Sequence, residues 1–205
     1  GLFLLMASLF FYSDILVTGS TMFSYMFYSL STILIMIIPL LTMRMFSEER
    51  KDGTEQLLLT APRSVTSIVL GKFFAALIVF CIAVVLTLIY YVILMFLGSP
   101  NIKTSLVTMF GFILLGAALI SFGMFASSIT ENQVIAAIIS IAFYVITWIG
   151  TPYLGKGLEP LGLMNMFNRF GNGQIACTEV VAFLSYTVLF VILTIIVIQR
   201  RKSVK

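Results

Sequence analysis

The sequence predicts an all-α membrane protein, one domain over residues 1–205 with six membrane-spanning helices. Three observations carry this. Apolar residues make up 60% of the chain and charged residues only 10%, well below the roughly 25% charged content of soluble domains. Uncharged stretches recur at 15–43, 73–102, 104–130, 132–155 and 180–199, and about 20 such residues suffice to cross some 30 Å of hydrocarbon. Lysine and arginine are shared very unequally between alternate connections, as membrane topology requires.

The first helix covers 1–12, "GLFLLMASLFFY". It is too short to span alone, so it is expected to be the remainder of a longer first span. The basic flank and cleavage site of a signal peptide are not present. The second helix, 28–46, contains Pro39, which removes a backbone hydrogen bond and kinks the span. The third, 66–97, opens after Ser64, a suitable N-cap. The fourth, 104–127, carries Gly116, Gly123 and Ser127 on one face. Small residues let helices approach closely in lipid, and packing within the chain is the simpler expectation than a seam between copies. In the following turn, "SSITENQ", Thr130 is expected to N-cap the fifth helix, 132–150, with Glu131 in its first turn. A further partner contact is the other reading of that turn. The sixth helix is 179–199.

The outer segment between the last two spans, 151–178, has Pro152, Pro160 and five glycines at 155, 157, 162, 171 and 173. Leu158, Leu161, Leu163, Met164 and Phe167 make it too apolar for open water. Broken backbone persists at membrane depth only inside protein or along a cavity, which fits one or two short re-entrant helices. An ordinary interfacial loop is the alternative. Tyr25, Phe27, Tyr28, Trp148 and Tyr153 suit an outer aromatic belt. Cys81 and Cys177 read as packing residues, with no disulfide between them.

Orientation follows from the short loops. Arg44, Arg50, Lys51, Arg63, Lys72, Arg200, Arg201, Lys202 and Lys205 fall on one side, and Lys103, Lys156 and Arg169 on the other. The first side, with the C-terminus, is therefore expected to be cytoplasmic. The net charge of +4 is a topology signal, and a nucleic-acid partner is not expected.

Several function classes drop out. The chain has no histidine, which removes HExxH zinc sites and Ser/His hydrolytic dyads. Gly71-Lys72 lacks the remainder of a phosphate loop, so no nucleotide or other cofactor is expected in this chain. The carboxylates Asp14, Glu131, Glu159 and Glu179 fall in loops or at helix ends, none mid-span, which counts against ion-coupled secondary transport.

The most polar stretch, "SEERKDGTEQLLLTAPRS" at 47–64, lies in the connection 44–72. Arg44 and Glu48, then Glu48 and Lys51, have helical spacing, so a helix is expected to run to Asp52. Gly53 stops it. Thr54 caps a new helix with Glu55 in its first turn, and Pro62 closes that helix after about two turns. Leu57, Leu58 and Ala61 share one face, and two turns are not stable alone in water. Four basic residues (Arg44, Arg50, Lys51, Arg63) balance four acidic ones (Glu48, Glu49, Asp52, Glu55). An anionic lipid surface selects a basic helix, so a protein groove fits better. A hairpin that merely caps the bundle is the plainer reading.

"MRMFSEERKDGTEQLLLTAPRSVTSIVLGKF" (43–73) resembles the cytoplasmic connection of ABC-2 type permeases, the membrane subunits of ABC exporters, and is closest to their gliding-motility-like branch. "GMFASSITENQVIAA" (123–137), "FNRFGNGQI" (167–175) and "IQRRK" (198–202) resemble further stretches of that family. The resemblance implies an ABC-2 exporter fold and a coupling helix that docks in a cleft of a separate ABC ATPase subunit, where ATP and Mg bind. Glu48, Glu49, Gly53, Thr54, Glu55, Leu57, Leu58 and Pro62 match the coupling motif. It also implies a second permease subunit, identical or related, a catalytically silent chain, and a multi-pass place in a bacterial plasma membrane. The family's N-terminal elbow helix is missing here. A function of a different class, a non-transporting membrane scaffold or sensor recruiting a cytoplasmic partner through 47–64, is the alternative.

Overall fold

The computed structural model describes residues 1–53, 64–150, 162–175 and 177–204. Among these residues the chain is helical, without strands. α1 (Leu2–Phe10) continues as a π-helical stretch (Phe11–Val17) and is followed by α2 (Ser24–Thr42), α3 (Ser47–Lys51), α4 (Val65–Leu86) and α5 (Leu88–Leu97). Then come α6 (Ile102–Ile129), α7 (Gln133–Val145, continued by a π-helical Ile146–Gly150), α8 (Leu163–Gly171) and α9 (Cys177–Val204). Among the described residues, four runs are long and apolar enough to cross a membrane: Ser24–Lys51, Val65–Leu97, Ile102–Ile129 and Cys177–Arg201. Leu2–Val17 and Gln133–Trp148, at the predicted first and fifth spans, are apolar but shorter.

α6 is the central post. It packs against α2, α4, α7, α8 and α9. Of its most apolar stretch 67% is buried, against 28% for α4–α5 and 33% for α9. Those two runs turn Ile78, Val85, Ile89 and Phe96, and Leu184, Val188 and Ile192, to the exterior, the lipid-facing surface expected of a membrane bundle. Inside, Phe112 of α6 stacks on Phe80 of α4 at 5.7 Å and meets Phe27 of α2 at 5.0 Å. Nearer the basic tail, Phe122 stacks on Phe143 of α7 at 3.7 Å and meets Phe190 of α9 edge-on at 4.8 Å. Such aromatic pairs add a directional preference to plain burial.

The small residues of α6 serve packing within the chain. A side chain at Gly116 would collide with the Phe80 ring, one at Gly123 with Thr42, and one at Gly111 with Phe170 at 2.5 Å. Most buried hydroxyls bond a carbonyl one turn back in their own helix. Thr42 donates to Ile38 O at 2.9 Å, Ser121 to Ala118 O at 2.8 Å, Ser140 to Ala136 O at 2.9 Å and Thr194 to Phe190 O at 2.8 Å.

Three expectations need correction. The third span is two helices broken at Thr87, whose buried hydroxyl donates to Val84 O at 2.6 Å. The first helix runs to Val17, so Asp14 sits inside a helical stretch. Phe27 belongs to the core and is fully buried between Phe23 and Phe112. Tyr25 is exposed, as a belt residue would be, while Tyr28 is half-buried and donates to Asn168 O at 3.0 Å. Tyr153 lies outside the described residues.

At the end opposite the basic tail, the described part of the 151–178 segment forms one short helix. α8 buries Leu163, Met166, Phe167 and Phe170 against α6 and α2. Thr108 of α6 donates to Phe170 O at 3.2 Å. Arg169 pairs with Glu179 in the first turn of α9 at 2.6 Å. Residues 151–161, with Pro152 and Pro160, lie outside the described residues, so α8 is the described portion of that prediction.

Candidate functional site: the platform at the basic end

The basic end gathers residues 43–53, the start of α4, the α6–α7 turn and the tail of α9. α2 stops at Thr42, and Met43–Phe46 form a turn before α3 begins. α3 carries Glu48 and Glu49 in its first turn and Arg50 and Lys51 in its last, each sign matched to the helix dipole. Its N-terminus has no capping side chain of its own. The cap comes from α6: Ser127 Oγ accepts from the backbone N–H of Phe46 and of Ser47, both at 3.1 Å, and donates to Met43 O at 3.0 Å. Ser127 is fully buried.

Two cations fasten α3 sideways. Arg50 pairs with Glu131 at 2.7 Å and donates to Ile129 O at 3.0 Å. Arg201 of α9 reaches the same carbonyl at 3.4 Å. Two guanidinium groups thus meet the C-terminal carbonyl end of α6, where the dipole favours positive charge. Lys72, two turns into α4, pairs with Glu49 at 2.6 Å and donates to Met45 O. Its ammonium lies over the Phe46 ring, 4.4 Å from the centroid, a favourable cation–π position.

Gly53 follows α3 with φ +72, the left-handed conformation that glycine enters without a Cβ penalty. Segment 54–63 therefore leaves from a helix fixed to α6. The chain resumes at Ser64, whose hydroxyl accepts from Ser67 N–H at 3.3 Å and N-caps α4. Of the motif residues, Glu48, Glu49 and Gly53 lie on this platform. Thr54, Glu55, Leu57, Leu58 and Pro62 lie outside the described residues.

The expected pairs Arg44–Glu48 and Glu48–Lys51 do not form among the described residues. The Met43–Phe46 turn separates Arg44 from the α3 register, and the ion pairs run between helices instead. Thr130 is not the cap of α7. Asn132 is, with its Oδ1 accepting from Val134 N–H at 2.9 Å, while Thr130 closes a tight turn onto Asn132. Glu131 precedes α7 and faces Arg50. Sequence reasoning missed the roles of Ser127, Lys72 and Glu131, because their partners are tens of residues away. The small-residue spacing that singled out Ser127 was the one available signal.

No metal-binding cluster occurs among the described residues. The platform's charges fasten helices to one another around the ends of segment 54–63.

The family model described as "ABC-2 family transporter protein" matches residues 3–203. No curated protein matches the chain. The match runs almost from end to end of a helical chain with four runs fit to cross a membrane, and the protein belongs to the ABC-2 family of transporter membrane proteins.

Proposed function

We propose that the chain is the permease subunit of an ATP-driven exporter, closest to the gliding-motility-like branch, and that 54–61 is its coupling helix. A separate ABC ATPase subunit binds ATP and Mg and receives Leu57 and Leu58 in a cleft. Glu48, Glu49, Gly53, Thr54, Glu55 and Pro62 shape and aim that helix. A second permease subunit, identical or related, completes the path. The chain crosses a bacterial plasma membrane six times, with its C-terminus cytoplasmic, following the lysine and arginine asymmetry.

The observation that carries the reading is the platform. Both chain ends flanking 54–63 are held to the bundle, through Ser127, Arg50–Glu131 and Lys72–Glu49. A push on that segment therefore reaches α6 and α4 as displacement instead of being lost in a slack loop.

Replacing Leu57 and Leu58 together by Asp tests it. Burying a leucine contributes about 1.5–3 kcal/mol, and a buried charge adds a further penalty. The ATPase should no longer co-purify, while membrane insertion and helix content stay unchanged. A double variant that still captures the ATPase and stimulates ATP turnover as the parent does would refute the assignment of 54–61. A hairpin that merely caps the bundle predicts that result.

A further inference from the structure

A cavity with hydroxyl and amide groups in its walls opens at the end opposite the platform. It has a volume of about 470 Å³ and lies between the α1–α2 loop, the first turn of α2, the α5–α6 connection and the end of α8. That is within the range of small-molecule pockets, about 300–1,000 Å³. Its lining includes Thr21, Tyr25, Tyr28, Ser99, Asn101 and Asn172, and, among the described residues, no charged side chain. A second chamber of about 330 Å³ shares Tyr25 and Tyr28 with it and adds Asp14, Thr18, Ser20 and Ser29. Among the described residues, Asp14 is the one charged residue lining either space, and no lysine or arginine lines them.

The walls are built rather than incidental. The Tyr28 ring is held edge-on by Phe167 at 5.6 Å, and its hydroxyl by Asn168 O at 3.0 Å. It occupies the space that a Cβ at Gly171 would need. Asn101 spends its amide oxygen on the first turn of α6, accepting from Lys103 and Thr104 N–H at 3.1 and 3.4 Å. Asp14 accepts from Ser29 at 2.5 Å and from Ser13 at 3.0 Å. Among the described residues, Thr21, Tyr25, Ser99 and Asn172 make no side-chain hydrogen bond within the chain.

Each feature narrows the ligand. An anion would lose its hydration with no cation to replace it, so phosphate and carboxylate groups are disfavoured. Hydroxyls and amides that both donate and accept match a molecule whose own groups do both. A carboxylate, which only accepts, suits adjacent hydroxyl donors. The Tyr rings offer an apolar face with a polar edge. We propose that this cavity and the open depression beside it, which share Tyr25 and Tyr28, bind a neutral sugar ring, its C–H face against Tyr25 and its hydroxyls divided between Asn172 and Asp14. The sugar can come from two sources, a glycolipid headgroup or a free saccharide. Beside the Asp14 chamber, α1 turns Leu5, Leu9, Tyr12 and Leu16 outward, a surface along which acyl chains can lie.

The test uses the full chain in nanodiscs free of glycoside detergent. Native mass spectrometry compares retention of monoglucosyl-diacylglycerol with phosphatidylglycerol, and calorimetry titrates methyl β-glucoside. Glycolipid retained about tenfold over phosphatidylglycerol, without calorimetric binding of the free sugar, supports the site and assigns the lipid source. Calorimetric binding without lipid preference supports it and assigns a soluble saccharide. In either case Tyr25→Ala with Asn172→Ala should weaken binding about tenfold or more, since a lost polar partner alone removes close to that factor. Both residues are exposed, so an unchanged melting temperature is expected. Thr21→Trp, which fills the cavity from its rim, is the second variant should the first not fold. No binding in either arm, equal retention of the two lipids without free-sugar binding, or full binding by both variants overturns the proposal.

Discussion

Replacing Ser127 by Ala removes an oxygen that accepts two backbone N–H groups at 3.1 Å and donates to Met43 O. The Met43 carbonyl keeps a partner, since Ser47 Oγ also donates to it. The two N–H groups do not. Both belong to buried residues, and a buried unsatisfied donor costs about 1–3 kcal/mol. Loss of an N-cap on a single helix costs about 0.5–2 kcal/mol. The cap cost is this same loss seen from the helix and is not added to it; local relaxation recovers part of the two donors' cost, leaving an expected loss of about 2–4 kcal/mol at α3. Since 1.4 kcal/mol is tenfold, amide exchange at Phe46 and Ser47 should accelerate by about 30-fold or more. Hydrogen-exchange mass spectrometry of a peptide covering 43–53 reads this directly. Ser128→Ala is the control: that hydroxyl is equally buried but donates only to Phe125 O of its own helix, at 2.7 Å. It should leave 43–53 unchanged. Equal exchange of 43–53 in the two variants would refute the cross-helix cap.

Two further outcomes follow from the packing. Gly116→Ala drives a methyl into the Phe80 ring and should destabilise by about 1–3 kcal/mol in a denaturant or thermal titration. Gly71→Ala, mid-helix with nothing within 4 Å, should instead stabilise by about 0.5–1 kcal/mol. Arg169→Met strands the Glu179 carboxylate, only 6% exposed, and should lower the unfolding midpoint. Adding Glu179→Gln should restore most of the loss, because the stranded charge carries the cost. No recovery in the double variant would mean that Arg169 acts through its packing alone.

Four of the six expected spans were legible because lipid imposes composition directly, and the described runs at 24–51, 65–97, 102–129 and 177–201 follow the uncharged stretches. Gly53 was legible as well, since a helix stop demands a conformation that glycine adopts freely, and its φ is +72. The break at Thr87 was not. "VLTLIYY" has no glycine or proline to mark it, and a hydroxyl turned back on Val84 O leaves no compositional trace. Phe27 was misplaced because its neighbours Tyr25 and Tyr28 suggested an interface, whereas helical rotation points it at Phe112. The platform's fastenings were hidden for another reason. Ser127 and Phe46 are 81 residues apart, and no local pattern encodes a distant partner. Thr54, Glu55, Leu57, Leu58 and Pro62, the heart of the sequence-derived site, lie beyond the described residues, so that assignment rests on the motif and on where the platform puts its two ends.

The habit of most buried serine and threonine hydroxyls, answered by a carbonyl of their own helix, bears on how the protein is made. α2 leaves the ribosome long before α6, the post it will pack against, exists. A polar group that needed α6 would wait unanswered in hydrocarbon, at a cost of kilocalories. Thr42, on Ile38 O, needs no one. Nor do Ser140 of α7 and Thr194 of α9, answered by Ala136 and Phe190. These helices can enter the bilayer singly, in order of synthesis, and find their neighbours afterwards. Ser127 departs from the habit: its acceptors and donors lie on the turn before α3, so the joint that fixes the platform closes only when α6 arrives.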